Sequence, residues 1–277
     1  MLVASVFTCP SCGEQLVPDA KTMRCLHGHA YDVAKEGYVN LLLAQHRKSK
    51  DPGYNEEMIT ARRDFFDSGA YAQLATELAK LTIEYVPDNA TFLDAGCGEG
   101  YYVRQLRREL GADTDATLVG LDISKHGIKI AAKRDPLGSY AVASSYSIPL
   151  APKSVDVLLT HFSPVSADAF RKVVKPGGIV MVSGPGEQHL AGLRELVYDD
   201  PTPHEPEELL ANEPGFTAVS MKRIRHEIFV EGHQNVYNLL KMTPYFWTVG
   251  GEKHQKLSEL DSLVTPIDVV IHCYRLS

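Results

Sequence analysis

Three cysteines crowd the start of the chain in a pattern that can hold a metal ion. Cys9-Pro-Ser-Cys12 is followed by Cys25-Leu-His27-Gly-His29. A CxxC knuckle with a second pair of soft or borderline ligands about a dozen residues on matches the spacing of structural zinc sites. Cys9, Cys12 and Cys25 are the firm ligands, and the fourth is His27 or His29. His29 is preferred, because the three-residue gap after Cys25 gives the chain room to turn back onto the metal. Four protein ligands leave no open position for catalysis, so the zinc is expected to be structural. It would supply folding free energy to a segment too short to build its own apolar core. A redox CxxC would open a helix after a strand, and this one does not.

A second stretch, Phe92-Leu93-Asp94-Ala95-Gly96-Cys97-Gly98-Glu99-Gly100, reads as a ligand cradle. An apolar strand runs into a glycine-rich turn that opens a helix. Gly96, Gly98 and Gly100 permit tight turning and let backbone approach a ligand with no Cβ in the way. The spacing is DxGxGxG, with an acid before the first glycine, and differs from the GxGxxG of dinucleotide-binding folds. Asp122 ends the next strand (LVGLD), where a carboxylate can take both hydroxyls of a ribose. Ser144 and Ser145 follow the third strand, where adenine contacts would fall. Cys97, inside the turn, reads as a small buried residue and not as a nucleophile.

The elements that position these groups alternate. Strands are expected near 91–95, 117–121, 140–144, 155–160 and 178–183, with helices near 99–111, 125–134, 166–173 and 187–197. This predicts an α/β fold with a doubly wound, mostly parallel sheet. Apolar runs near 216–220 and 264–274 suit a closing pair of strands that makes the sheet seven-stranded, with a helix over Glu231–Met242 between them. Upstream, 55–86 carries two helical patterns separated by Ser68-Gly69, with Leu74, Leu78 and Leu81 on one face. The chain divides accordingly into a zinc-binding unit over 1–34, a linker over 35–54 and an α/β domain over 55–277.

Composition bounds the class. Five cysteines, three of them in the first tenth of 277 residues, make a poor disulfide framework and a good metal site in a reducing compartment. The opening Met1–Phe7 is too short for a signal peptide, and no apolar run reaches membrane-spanning length, so a cytoplasmic protein with no membrane partner is expected. A net charge of −7 and a pI near 5.9 argue against a protein that coats nucleic acid through a global positive field. Local basic groups are present at His46-Arg47-Lys48-Ser49-Lys50, Arg62-Arg63, Arg104, Arg107 and Arg108.

Residues 88–185 resemble the class I S-adenosylmethionine methyltransferases, in the DxGxGxG turn, in Asp122 and in the Val174-Lys-Pro-Gly-Gly178 turn before the fifth strand. Across nearly its whole length the chain also resembles the bacterial 23S ribosomal RNA guanine-N1 methyltransferases. The likeness runs through Cys9-Pro-Ser-Cys12, His29–Leu43, Ala61-Arg62-Arg63, Asp94–Tyr102, Val174–Gly178 and Leu240–Phe246. The resemblance implies S-adenosylmethionine as cofactor, zinc on Cys9, Cys12, Cys25 and His29, and further cofactor contacts at Tyr71, Tyr102, Val103 and His189. It also implies a homodimer and, as substrate, a guanine in hairpin 35 of 23S RNA, with macrolide resistance in some subfamilies.

The acceptor is narrowed by what the sequence lacks. Thr160-His161-Phe162-Ser163-Pro164 stands where enzymes acting on exocyclic amines often carry [DN]PP[YF], and no cysteine is placed for pyrimidine C5 chemistry. A ring nitrogen or oxygen acceptor fits better. His161, after the fourth strand at the methyl-facing edge, is the first candidate for contact with the acceptor; Pro185 and His189 are second choices. Phe246 and Trp247 are candidates to stack on a base. Two other classes stay open: a small-molecule methyltransferase whose zinc knuckle only supports the fold, and a non-catalytic RNA-binding factor.

Overall fold

The computed structural model describes residues 6–43, 55–111 and 113–277. The basic run His46–Lys50 lies outside the described residues. The chain opens with β1 (Val17–Asp19), β2 (Thr22–Arg24) and β3 (Ala30–Asp32), a small antiparallel sheet beside the cysteines, and continues into β4 (Val39–Asn40). Two helices follow, α1 (Glu56–Asp67) and α2 (Ala72–Ile83). The alternating part comprises β5 (Thr91–Ala95), α3 (Tyr101–Leu110), β6 (Thr117–Asp122), α4 (Lys125–Arg134), β7 (Ser139–Val142), β8 (Val155–His161), α5 (Ala167–Val173), β9 (Val174–Pro185) and α6 (Ala191–Val197). It closes with β10 (Phe216–Glu231), α7 (His233–Lys241), a 3-10 turn at Pro244–Trp247, α8 (Gly251–Ser258) and β11 (Ser262–Leu276).

Among the described residues the main sheet has eight strands in the order β10-β11-β9-β8-β5-β6-β7-β4. Only β11 runs against the direction of the other strands of this sheet. The order reverses between β5 and β8, so the carboxyl ends of β5, β6 and β8 open a crevice at the switch point where such sheets bind ligands. The buried runs of β5 and β7 suit a sheet covered on both faces.

The sheet carries one strand more than the seven expected. Val39 and Asn40 pair in parallel with Ala141 and Val142, so part of the stretch read as a linker forms an edge of the sheet. The zinc unit is tied down further by Thr8 N–H donating to the Pro149 carbonyl (2.8 Å) and Leu41 N–H to that of Val142 (2.9 Å). Phe7, Leu16 and Met23 are fully buried in one core with Leu93, Val119 and Leu150 of the sheet domain. Each such side chain contributes roughly 1.5–3 kcal/mol. On the other face, Leu74 and Leu78 of α2 pack with Val103 of α3 and with Val236 and Leu239 of α7.

Candidate active site and metal centre

The four expected metal ligands converge. Cys9, Cys12 and Cys25 Sγ and His29 Nδ1 lie within 4.8 Å of one another. Cys12 and Cys25 sulfurs are 3.7 Å apart, and His29 Nδ1 stands 3.6 Å from Cys9 Sγ and 3.4 Å from Cys25 Sγ. Ligands at zinc's usual bond lengths on a tetrahedron stand roughly 3.4–3.8 Å apart, so the donor set fits zinc. His27, the alternative fourth ligand, points away with its side chain 60% exposed toward Glu14. Tyr31, on β3, adds a hydroxyl 3.2 Å from Cys9 Sγ. Such an outer hydrogen bond holds a ligand in orientation.

The glycine turn follows β5 directly. Gly96, Gly98 and Gly100 all have positive φ (107°, 56° and 77°), a region that side chains other than glycine's rarely enter. A Cβ on Gly96 would lie 1.9 Å from Ser163 Oγ, so the loop after β8 closes directly over the turn. Asp122 braces it from β6: one carboxylate oxygen accepts from Gly98 N–H (2.8 Å), the other from Ser124 N–H (2.7 Å). Ser144 and Ser145 leave the end of β7 beside Asp122, where Ala143 N–H donates to the Asp122 carbonyl. Val103 is fully buried in the first turn of α3.

Two buried carboxyls, Asp94 and Glu99, and the half-buried Asp122 cluster at this turn. Neither oxygen of Asp94 has a hydrogen-bond partner among the described residues, and burial pushes its carboxyl up to about 8, with Arg62 opposing. Glu99 lies 3.6 Å from Arg62, whose guanidinium stacks 5.3 Å from the centre of the Phe66 ring. Burial raises Glu99 and Asp122 as well. A buried acid left without a donor, as Asp94 is, fits a cationic ligand. Cys97 is buried and its thiol is pushed well above the ordinary range by burial and the acids around it, which leaves no nucleophile there.

Beside the turn opens a cavity of about 240 Å³. Tyr71, Tyr102, His161 and His189 line it, with the Tyr102 ring edge-on to His161 at 4.2 Å and Phe162 between the two histidines. His161 ends β8. Its Nδ1 shares a 2.7 Å hydrogen bond with Ser183 Oγ of β9, and its Nε2 has no partner among the described residues. Burial, with Arg62 and His189 nearby, holds this imidazole well below its ordinary range and so neutral.

The structure separates some groups that the sequence put together. Arg107 is tied to Asp135 (2.7 Å), Arg63 to Asp64, and Arg62 lies in the cavity wall, so of Arg62, Arg63, Arg104, Arg107 and Arg108 only Arg108 is exposed. Phe246 packs edge-on against Tyr237 and His254, Trp247 is 63% exposed, and the cavity takes Tyr245 from that turn instead. His204, bonded to the Tyr245 hydroxyl at 2.9 Å, was missed; it sits in an irregular stretch with no periodicity to mark it. Asp268 was missed too, although a lone acid within the apolar run Ile267–Ile271 is a visible signal that a buried partner must exist.

The crossover sheet, the glycine turn with its acids and the cysteine cluster define a class I S-adenosylmethionine-dependent methyltransferase with an N-terminal zinc ribbon. Residues 7–50 match the family model described as "RlmA, N-terminal", a zinc ribbon, and 87–242 match "Methyltransferase domain". The chain is 32% identical over 263 residues (93% of this chain, 89% of the relative) to the 23S rRNA (guanine(748)-N(1))-methyltransferase of Streptomyces fradiae. It is 30% identical over 276 residues (96% of each) to a Bacillus subtilis strain 168 protein, YxjB, provisionally named a 23S rRNA (guanine-N(1)-)-methyltransferase. A Micromonospora griseorubida protein with the same provisional name matches at 33% over 204 residues (67% of each). The chain belongs to the 23S rRNA guanine-N1 methyltransferase family.

Proposed function

We propose that this protein methylates N1 of a guanine in the hairpin 35 region of 23S ribosomal RNA. The observation that carries the reading is the joining of a zinc ribbon and a methyltransferase site in one chain, at 32% identity over 93% of its length to a relative of that name. S-adenosylmethionine supplies a methyl group already activated by its sulfonium. What the protein adds is mainly alignment. Asp94, Gly96, Gly98, Gly100, Tyr71, Tyr102, Val103, Asp122, Ser144 and Ser145 are assigned to the cofactor, with Asp122 toward the ribose and the unpartnered Asp94 toward the ammonium, while His189, a cofactor contact by resemblance and a second candidate for the acceptor, lines the cavity. His161, its neutral ring aimed by Ser183, is assigned to the acceptor. N1 lies on the Watson–Crick edge, so the target base must be unpaired or flipped out to enter.

Neutral Asp94 gives a proton balance. With its carboxyl near 8, the free site is mostly protonated at pH 7, and a cation stabilises the ionised form. Binding of S-adenosylmethionine at pH 7 is therefore expected to release close to one proton, and affinity to rise with pH until about 8. Calorimetry in buffers of different ionisation enthalpy checks this. Asp94→Asn should abolish the release, and its persistence would assign the proton elsewhere. The sign for stability is opposite: without ligand, Asp94 stabilises least above about 8 and its penalty vanishes below the ordinary carboxylate range.

No helix among the described residues is long and apolar enough to cross a membrane. We further propose a cytoplasmic homodimer, the state that the resemblance implies, and sedimentation would check the dimer. The competing small-molecule reading is separated by RNA affinity. A hairpin 35 transcript is expected to bind with a steep inverse salt dependence, weakened when Arg47 and Lys48 are changed to Ala. Salt-independent or undetectable binding would favour the small-molecule reading.

A further inference from the structure

His189 and His161 flank Phe162, and each is followed by a non-glycine residue in the left-handed region, Leu190 (φ 54°) and Phe162 (φ 50°). Backbone strain of this kind persists where surrounding structure holds it, commonly at ligand sites. The surroundings here are explicit. The turn from Gly186 to Leu190 is stitched to β11: Gly186 N–H donates to the Asp268 carbonyl (2.8 Å), Gln188 N–H to its carboxylate (2.9 Å) and Leu190 N–H to the Pro266 carbonyl (2.8 Å). Asp268 is itself fully buried and gripped by Arg223 through two 2.7 Å bonds.

The last stitch sets the chemistry of the ring. Asp268 N–H donates to His189 Nδ1 at 3.3 Å. A backbone amide can only donate, so Nδ1 is the lone-pair nitrogen and the ring proton of the neutral tautomer sits on Nε2. Burial, with His204 and Arg194 adding repulsion against Asp268's attraction, holds the ring neutral, at about 3. Nε2–H makes no hydrogen bond to a described residue, and the ring lines the cavity. His189 thus presents one fixed donor and no acceptor.

Guanine offers the complement. Its O6 accepts, and as N1 gives its proton to water, the electron pair of the broken N–H bond spreads onto O6. Adenine presents an amino group at the same position, a donor facing a donor. Resting on the guanine-N1 reading, we infer that His189 donates Nε2–H to O6 of the target base, stabilising the charge that develops there and discriminating guanine from adenine. A ring at this edge can touch the cofactor as well, but its single N–H serves one partner.

The test is methyl transfer into a hairpin transcript across a range of pH, with cofactor affinity measured separately by calorimetry. His189→Phe is expected to lower kcat by roughly a hundredfold, the usual scale for losing one donor to a developing oxyanion. S-adenosylmethionine affinity should stay within about threefold, and the pH–rate profile should move to higher pH because N1 deprotonates less readily. His189→Gln, which returns an amide donor, should recover about tenfold or more over Phe. The native enzyme should methylate inosine, which keeps O6 and N1–H, and leave adenine untouched. Cofactor affinity falling in step with turnover, an unmoved pH profile, or a folded Gln variant as inactive as Phe would overturn the inference. A native enzyme that binds cofactor yet modifies no guanine would instead overturn the functional reading beneath it.

Discussion

Replacing Cys25 with Ser is expected to cost the protein its zinc, its N-terminal unit and roughly 10–20 °C of thermal stability. The segment has three strands of three residues each and buries Phe7, Leu16 and Met23 against the main sheet rather than in a core of its own. Without the metal nothing holds the knuckle shut, since zinc binding is the folding free energy of such units. Losing those three side chains from the interface removes roughly 5 kcal/mol or more, and each kcal/mol moves Tm by about 2–4 °C in a chain of this size. The β4 edge and the Thr8–Pro149 tie would go with it, so hydrogen exchange should also rise in β7. His27→Ala is the control: an exposed side chain outside the ligand set should leave one zinc per chain. Metal analysis and melting check both, and a Cys25→Ser protein with full zinc and native Tm would contradict the assigned shell.

The second large effect is expected at Gly96. With φ at 107° and Ser163 Oγ 1.9 Å from the position of a Cβ, Gly96→Ala must both strain the turn and push the loop that follows His161 and carries Phe162. Strain alone costs roughly 1–3 kcal/mol; displacement of the loop shifts both sides of the site. A fall in kcat/KM of a hundredfold or more is expected, about 2.7 kcal/mol in the transition state. Gly111→Ala separates the causes, because Gly111 has φ of 90° with nothing within 4 Å of a Cβ. It should lose stability and keep cofactor affinity. Equal kinetics for the two variants would show that the contact with Ser163 has no part in the site.

The parts of this architecture legible in sequence are those fixed by short-range pattern. The buried strand into Gly96, the Cys spacing and the Leu74, Leu78, Leu81 stripe are local, and each forms as read. β10 shows where locality ends. It runs 16 residues, with Lys222, Arg223 and Arg225 inside it and Met221 and Phe229 exposed, and only its pairing along β11 makes it a strand. The ligand choice between His27 and His29, open at the level of spacing, is decided by the β2–β3 turn that brings Nδ1 of His29 to the sulfurs. The histidine end of the cavity was hardest to read, because Ser183, His204 and Asp268 come from three separate stretches that meet only at the end of the sheet.

The most direct measurement of the central claim is methyl transfer from labelled S-adenosylmethionine to 23S RNA lacking its native modifications, mapped by primer extension. A methyl on guanine N1 blocks Watson–Crick pairing, so label in the RNA and one new stop in hairpin 35 are expected. Label without a stop there, or no label from a protein shown to bind cofactor and zinc, would contradict it.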